Sequence, residues 1–158
     1  SPRRGMGFVT QKVTYAAACA KLGIKTSPHL NEEGEPIMKN GRVGMGNLEA
    51  KRDWGFAGDF VEAMWLILQQ EKPDDFVIAT NDTHSIKELC QEAFGYVGLN
   101  WQDFIYTDKR FVRPTETGPL IGDYSKAKNV LGWEPKVKFK DLVSQMINAH
   151  LKNFSQNQ

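Results

Sequence analysis

Four cationic residues have unusual local neighbours, and three of them are arginines near Gly, Trp or Pro. Arg4 precedes a glycine, Lys12 lies in a helix-like stretch, Arg52 precedes Asp-Trp-Gly, and Arg113 precedes a proline. A guanidinium held in such a setting can make two parallel hydrogen bonds to one anion. The four residues therefore suit a pyrophosphate, whose charge needs several converging donors. The commoner role of any one surface Lys or Arg is a solvated charge, and the spacing leaves open whether the four converge.

Two further motifs imitate nucleotide-binding and catalytic signatures. The run from Gly41 to Gly46 is rich in glycine but lacks the G-x-G-x-x-G spacing, and no helix opens at its last glycine. We predict a strand or turn there. Tyr124 and Lys128 have the spacing of a pair in which a lysine lowers the pKa of a catalytic tyrosine. They lie far from any nucleotide-binding strand, so we predict an ordinary surface pair on a short helix.

Histidine and cysteine patterns give no support to metal or nucleophilic catalysis. His29, His84 and His150 show no metal-ligand spacing and have no Ser or Cys partner at a recognisable distance. Cys19 and Cys90 each fall inside a helix-like apolar stripe. This placement argues against a disulfide framework and a zinc site, and it favours a reducing compartment such as the cytoplasm.

Composition excludes several classes of protein. Of the 158 residues, 41% are hydrophobic and 25% are charged, which is typical of a folded globular domain. Twenty Lys and Arg against 19 Asp and Glu give a net charge of +1, so nucleic acid is not an expected partner. The most apolar stretch, 63–68, is far shorter than the roughly 20 residues of a membrane-spanning helix. A membrane is therefore not an expected partner either.

The elements that must position the cations are mainly helices. Apolar residues spaced by three and four predict helices over 8–22 and 56–70, and further helices over 125–131 and about 140–154. A fifth helix opens at Ser85, where a Glu three residues later forms a capping-box pattern. The apolar face predicted for 56–70 comprises Phe60, Val61, Met64, Trp65 and Leu68.

One strand is predicted directly before the helix that opens at Ser85. The apolar run 76–80 is bounded by polar residues and leads straight into the helix that opens at Ser85, as in half of a parallel βαβ unit. Two short strands around a hairpin-like loop are expected between 23 and 53. One buried strand cannot form a sheet, so we predict an α/β fold whose remaining sheet lies outside this chain, which is then a piece of a longer protein.

Taken together, these motifs resemble those of the GDP-mannose 4,6-dehydratase family. In chain order they are SPRRG at 1–5, FVTQK at 8–12, GNLEAKRDWG at 46–55, DFVEAMW at 59–65, VIAT at 77–80, RPTE at 113–116, and SKAK to LGW at 125–133. The likeness runs through nearly the whole chain. It implies that 1–158 is the C-terminal, substrate-binding part of an extended short-chain dehydrogenase/reductase, with a partial Rossmann sheet plus a helical substrate domain. The strand–helix unit would span about 75–97, and the N-terminal NADP-binding half is absent.

The resemblance also implies an activity. Family members convert GDP-mannose to GDP-4-dehydro-6-deoxy-mannose, with hydride passing from C4 to NADP and back to C6 while water is lost. The family's catalytic Thr, Glu, Tyr and Lys belong to the first half, so no catalytic residue is expected here and the chain alone should be inactive. A cytoplasmic homo-oligomer, a dimer or tetramer, is implied for the full-length protein.

Site residues carry over from the family by position. The resemblance makes Lys12, Arg52 and Arg113 contacts to the GDP phosphates, Glu116 an acceptor for ribose hydroxyls, and Arg4 a contact to NADP. Gly46 and Asn47 would line the nucleotide pocket through their backbones. Two stretches depart from the family pattern, since 29–42 is longer than expected and 117–121 has a different composition. Both bear on the shape of the sugar or base pocket.

Two alternatives stay open from the sequence. In the first, the chain is part of another extended-family nucleotide-sugar enzyme, such as an epimerase, a reductase or a dehydratase for a different nucleotide. In the second, it is a non-catalytic binding module. Comparing GDP with UDP and dTDP as ligands distinguishes the enzymes from one another.

Overall fold

The structure, a computed structural model, describes residues 1–31, 33–112, 118 and 121–156. Within them lie five α-helices, four short strands and two 3₁₀ turns. The helices are α1 Val9–Lys21, α2 Ala57–Leu68, α3 Ile86–Tyr96, α4 Ser125–Leu131 and α5 Phe139–Gln156. The strands are β1 Val43–Met45, β2 Lys51–Asp53, β3 Thr83–Ser85 and β4 Ile105–Thr107, and the 3₁₀ turns are Trp101–Asp103 and Lys109–Phe111.

The main core lies between α1, α3 and α5, which pack against one another. Val13 of α1, Phe94 of α3 and Ile147 of α5 are all fully buried in it. The predicted stop of α1 is confirmed, because Gly23 takes a φ of +71°, which favours glycine. The predicted capping box of α3 is confirmed as well, since Ser85 and Glu88 exchange backbone-to-side-chain hydrogen bonds of 2.6 and 3.1 Å.

The strands form two small two-stranded sheets. β1 pairs with β4 in parallel, with Val43 opposite Ile105, and β2 pairs with β3 antiparallel, with Arg52 opposite His84. The strands expected between 23 and 53 therefore exist, but they pair with distant segments and not with each other. The local hairpin lies earlier, where isolated bridges join Leu30 to Pro36 and Lys39 to Arg42. We call this segment, 29–42, the hairpin segment.

The strand predicted over 76–80 does not form in the described structure. This segment has no regular secondary structure, and the strand that precedes α3 is β3. A strand needs a neighbour to take its backbone hydrogen bonds, and no parallel neighbour is present among the described residues. The end of the segment is held instead by Asp53, whose carboxylate accepts hydrogen bonds from the backbone N–H of Thr80 at 3.0 Å and of Asn81 at 3.1 Å.

The apolar face of α2 is largely exposed. Val61, Met64 and Trp65 keep about 60% of their surface accessible and Leu68 keeps 80%. The helix predicted over 56–70 is confirmed, and most of its predicted apolar face lies toward solvent in the described structure. Periodicity identifies the apolar side of a helix, whereas burial depends on what packs against it. We call Val61, Met64, Trp65 and Leu68 the α2 strip.

The opposite side of α2 is anchored to the segment that follows α4. Asp59 is buried, and its carboxylate accepts the backbone N–H groups of Lys136 and Val137, each at 2.9 Å. The indole N–H of Trp133 donates to the Asp59 carbonyl at 2.8 Å. Ala63 packs with Trp133 in the same small cluster. α2 is therefore fixed by one face while the α2 strip remains open to solvent.

We expect the α2 strip to drive self-association of this chain. The double change Trp65→Gln and Leu68→Gln should lower association while changing the free energy of unfolding by less than about 1 kcal/mol, because both side chains are exposed. Sedimentation velocity and thermal unfolding measure the two effects. The control Ala63→Leu, on the buried face, should cost about 1–3 kcal/mol by overpacking. Unchanged association in the double variant would contradict the prediction.

An aromatic and imidazole cluster joins α1 and α5, with Tyr15 and His150 buried and His29 exposed at its edge. The Tyr15 ring lies edge-on to both His29 and His150, at centroid distances of 5.2 and 5.3 Å, and stacks on Phe154. His150 Nε2 lies 3.3 Å from the Thr14 hydroxyl. Burial, together with the neighbouring His29, lowers the pKa of His150 to about 4.

This cluster makes stability depend on pH. The folded pKa of His150 is about 4 against an ordinary value of 6.5, so between these values the unfolded chain binds more protons and stability falls as pH falls. The loss over that window is about 3 kcal/mol. His150→Gln should flatten the decline in urea unfolding measured between neutral and acidic pH. An equally steep decline in the variant would show that another group is responsible.

Candidate functional site

A cavity of about 630 Å³ opens between the start of α1, the end of β1, β2 and the turn Lys109–Phe111. Its volume lies within the roughly 300–1,000 Å³ that is typical of small-molecule sites. Four of the residues singled out from the sequence line it, namely Lys12, Gly46, Asn47 and Arg52. Residues separated by some forty positions in the chain thus meet at one place. We call it the main cavity.

Lys12 contributes a partly desolvated charge to the main cavity. It lies in the first turn of α1, and its ammonium sits 3.8 Å from the centre of the Phe111 ring in a cation–π contact. Burial is the largest influence on the Lys12 pKa and lowers it, while the carboxylates of Glu33 and Asp108 act in the opposite sense. An anion in the main cavity would therefore compensate a charge that the protein has partly removed from water.

Arg52 reaches the main cavity from β2. Its Nη1 donates to the Lys51 carbonyl at 2.7 Å, and the guanidinium is half-buried. Trp54 lines the same wall and is stacked on Phe139 with centroids 5.9 Å apart, which fixes the chain directly after β2. A planar guanidinium beside a fixed aromatic wall can present two parallel N–H groups to a phosphate.

Gly46 and Asn47 form a tight corner of the main cavity. A Cβ at Gly46 would clash with the carbonyl oxygen of Phe111, so glycine alone allows the turn Lys109–Phe111 to close over the end of β1. Asn47 caps the next turn, where its side-chain oxygen accepts the Glu49 N–H at 3.0 Å. The Ala50 carbonyl then accepts the N–H of Ile86, which ties this corner to the start of α3.

Arg110 belongs to the main cavity and was not predicted from the sequence. Its guanidinium is clamped between Asp108, where Nη2 donates to Oδ2 at 2.8 Å, and Glu35, where Nη1 donates to Oε2 at 3.1 Å. The same contacts hold the pKa of Asp108 below its ordinary value. The sequence signal that could have pointed to Arg110 is Asp108, a residue type that favours capping positions. Its side chain caps the 3₁₀ turn by accepting the Arg110 N–H at 3.0 Å. Phe111, which also lines the cavity, was missed as well.

The remaining predicted residues fall elsewhere. Arg4 does not line the main cavity but lies next to it. Its exposed guanidinium is 3.4 Å from the centre of the Phe8 ring, and Phe8 forms part of the cavity wall. Arg113 and Glu116 lie outside the described residues. The proposed gathering of positions 12, 52 and 113 is therefore observed for Lys12 and Arg52, and Arg113 stays a prediction.

The two imitative motifs have ordinary structural roles. The glycine-rich run contains β1, as predicted for a strand or turn. Tyr124 lies edge-on to Trp133, and Lys128 donates to Glu134 at 2.7 Å on the surface of α4. The prediction of ordinary surface roles for these two residues is confirmed, since one packs on a ring and the other forms a surface ion pair.

In the described ranges, no group of three or more His, Cys, Asp or Glu side chains could hold a metal ion. None of the helices found there combines the length and the apolar character that crossing a bilayer requires.

The fold is shared with parts of longer proteins of known structure. The structure of RMD from Pseudomonas aeruginosa complexed with NADPH superposes with a TM-score of 0.79 at 16% identity, over 97% of this chain and 46% of that one. The dTDP-glucose 4,6-dehydratase of Bacillus anthracis in complex with NAD gives 0.74 at 16% identity, over 98% and 42%. The predicted fold class is confirmed as a partial α/β fold, which the chain shares with these two proteins.

The chain belongs to the GDP-mannose 4,6-dehydratase family. The family model described as GDP-mannose 4,6 dehydratase matches residues 1–146. GDP-mannose 4,6 dehydratase 1 of Arabidopsis thaliana is 52% identical over 152 residues, which are 96% of this chain and 38% of the relative. The human GDP-mannose 4,6 dehydratase is 38% identical over 169 residues, covering 96% and 41%. The chain thus spans about two-fifths of the length of these curated relatives.

The corner at Gly46 gives a stability prediction with a matched control. Gly46→Ala should destabilise the chain by about 1–3 kcal/mol, because the new methyl group meets the Phe111 backbone and the turn must move. Gly95→Ala in α3 meets nothing within 4 Å and should stabilise by about 0.4–1 kcal/mol. Chemical denaturation of both variants measures the difference. Equal effects at the two glycines would disprove the close approach at Gly46.

Proposed function

We propose that this chain is the nucleotide-sugar-binding part of a GDP-mannose 4,6-dehydratase, an NADP-dependent hydro-lyase that converts GDP-mannose to GDP-4-dehydro-6-deoxy-mannose. The observation that carries the proposal is the meeting of Lys12 and Arg52 in the main cavity of a chain that belongs to this family. No observation on the described residues favours a different nucleotide or a non-catalytic module.

The diphosphate is the part of the substrate that the main cavity fits. Lys12 offers a half-buried ammonium and Arg52 a planar guanidinium, so two groups of different geometry face one space. We assign Arg113 to the same diphosphate and Glu116 to the ribose hydroxyls, on the family resemblance. Gly46 and Asn47 shape the wall, since the missing side chain at Gly46 lets the turn Lys109–Phe111 approach.

Arg4 is the residue of this chain that we assign to NADP. Its exposed guanidinium lies on the Phe8 ring at the edge of the main cavity, which suits a contact to a phosphate or ribose group of a cofactor bound beside the substrate. When bound, NADP accepts a hydride from the sugar and returns it. The described part of this chain contributes binding and orientation, and the catalytic side chains are assigned to the rest of the enzyme.

Two surfaces support the division of the enzyme into parts. The α2 strip is exposed, and the segment 76–80 has no strand partner among the described residues. A sheet could cover an exposed apolar helix face by packing and could pair with a segment that has the composition of a strand. We therefore propose that 1–158 is the substrate-binding part, that 75–97 joins the sheet of an NADP-binding part, and that the enzyme works as a cytoplasmic homo-oligomer.

The chain alone should bind GDP-mannose weakly. Lys12 and Arg52 each contribute about 1.5–3 kcal/mol through charge-assisted hydrogen bonds, whereas association costs about 4–15 kcal/mol. We therefore expect a dissociation constant of about 1 mM or weaker and no turnover.

A chimera tests the function directly. This chain would replace the matched part of the Arabidopsis relative, and we expect the chimera to convert GDP-mannose while the chain alone does not. In the chimera Arg52→Ala should raise KM for GDP-mannose by about 10–100-fold, because one charge-assisted contact is lost. Its affinity for NADP, measured by calorimetry, should not change.

The matched control is Lys51→Ala, which removes an exposed neighbouring cation on the same strand. It should leave KM unchanged. Turnover by the chain alone, or an unaltered KM in the Arg52 variant, would contradict the assignment.

A further inference from the structure

A second, smaller cavity adjoins the main cavity. It has a volume of about 150 Å³ and shares Lys12, Arg110 and Phe111 with its larger neighbour. The rest of its wall comes from the hairpin segment and from Tyr106 of β4. Because whole-ligand sites occupy roughly 300–1,000 Å³, this space suits one ring system and not a complete nucleotide. We call it the side cavity.

The hairpin segment is firmly built into the fold. The side-chain oxygen of Asn31 accepts the backbone N–H groups of Glu33 at 3.1 Å and Glu35 at 2.8 Å. The backbone N–H of Asn31 donates to the Glu35 carbonyl at 2.7 Å. Directly after this turn, Ile37 and Met38 are 3% and 1% exposed and belong to the main core. The backbone of Glu35 is therefore fixed by hydrogen bonds to Asn31 before it and by the buried residues that follow it.

The Glu35 carboxylate is oriented by Arg110. Arg110 Nη1 donates to Glu35 Oε2 at 3.1 Å, and Arg110 is itself fixed by Asp108. This contact uses one carboxylate oxygen, and in the described structure no hydrogen bond is made to Glu35 Oε1. Glu35 thus lines the side cavity as an acceptor whose direction is determined.

Donors face the same space from the other end of the hairpin segment. Lys39 and Arg42 line the side cavity, and the Arg42 guanidinium lies 5.2 Å from the centre of the Tyr106 ring. The side cavity therefore combines one carboxylate acceptor with cationic donors and an aromatic ring. This combination matches the edges of guanine, which offers N1–H and N2–H₂ donors on one edge and O6 and N7 acceptors on another. Adenine and the pyrimidines do not present two adjacent donors to a carboxylate.

We infer that the side cavity receives the guanine base and that Glu35 is the residue that selects it, by accepting hydrogen bonds from N1–H and N2–H₂. This inference rests on the proposed function, since it supplies the base specificity of the same nucleotide site. Lys12 borders both cavities, so a nucleotide with its base in the side cavity has its diphosphate beside Lys12 and Arg52 in the main cavity. The hairpin segment is then a specificity element.

Ligands that differ by single groups test the inference on this chain. Inosine diphosphate is guanosine diphosphate without the N2 amino group, and adenosine diphosphate lacks both donors. Titrations followed by NMR should show guanosine diphosphate binding about 10–100-fold tighter than the other two, as expected for the loss of hydrogen bonds to a charged group. Guanosine diphosphate should also shift the backbone amides of Glu35 and Arg42, a result that needs no variant.

Glu35→Gln should abolish this preference, because an amide oxygen accepts from N1–H or N2–H₂ while the amide N–H₂ group opposes the other donor. Its affinity for inosine diphosphate should stay within about twofold of the parent, since the diphosphate contacts are unchanged. The control Glu33→Gln lies in the same turn, is exposed and does not line the side cavity, so it should keep the full preference.

The outcomes separate the inference from the proposed function. Equal affinity of the parent chain for the guanosine and inosine diphosphates, or an undiminished preference in Glu35→Gln, would overturn the role of Glu35 and leave the diphosphate site standing. If no nucleoside diphosphate shifts the amides around Lys12 and Arg52, the proposed function fails instead.

Discussion

The site depends on the close approach of the turn Lys109–Phe111 to α1 and to the end of β1. The Phe111 ring contacts the Lys12 ammonium, and the Phe111 carbonyl lies close to Gly46. This one residue therefore sets the width of the main cavity. The parallel pairing of β1 with β4 brings this turn into place from more than sixty positions away in the chain. A side chain at Gly46 or an unpaired β4 would therefore remove the cavity that holds the cations.

Much of this arrangement is predictable from the sequence. The bounds of the helices follow from local signals, such as the apolar spacing of α1, its stop at Gly23 and the capping box at Ser85, and local signals act within one or two turns. Lys12 and Arg52 were identified from their neighbours and from the family resemblance, and the structure places both in the main cavity. The short strands were located only approximately, because three residues carry little pattern.

What the sequence missed is non-local. Arg110 looks like one cation among several in a polar stretch, and its place between Asp108 and Glu35 depends on how the hairpin segment meets β4. The segment 76–80 has the composition of a buried strand, but composition does not supply the neighbour that a strand requires. The same holds for the α2 strip, whose apolar pattern contains no information about the surface that would cover it, and which is exposed in the described structure.

Asp53 gives the molecule a mechanical connection between two of its surfaces. This one carboxylate gathers the amides of Thr80 and Asn81 while its own backbone continues from Arg52 in β2. A shift in the backbone of 80–81 would therefore displace Asp53 and, next to it, Arg52, which lines the main cavity. The segment and β2 are thus joined twice, through the Asp53 carboxylate and through the pairing of β2 with β3.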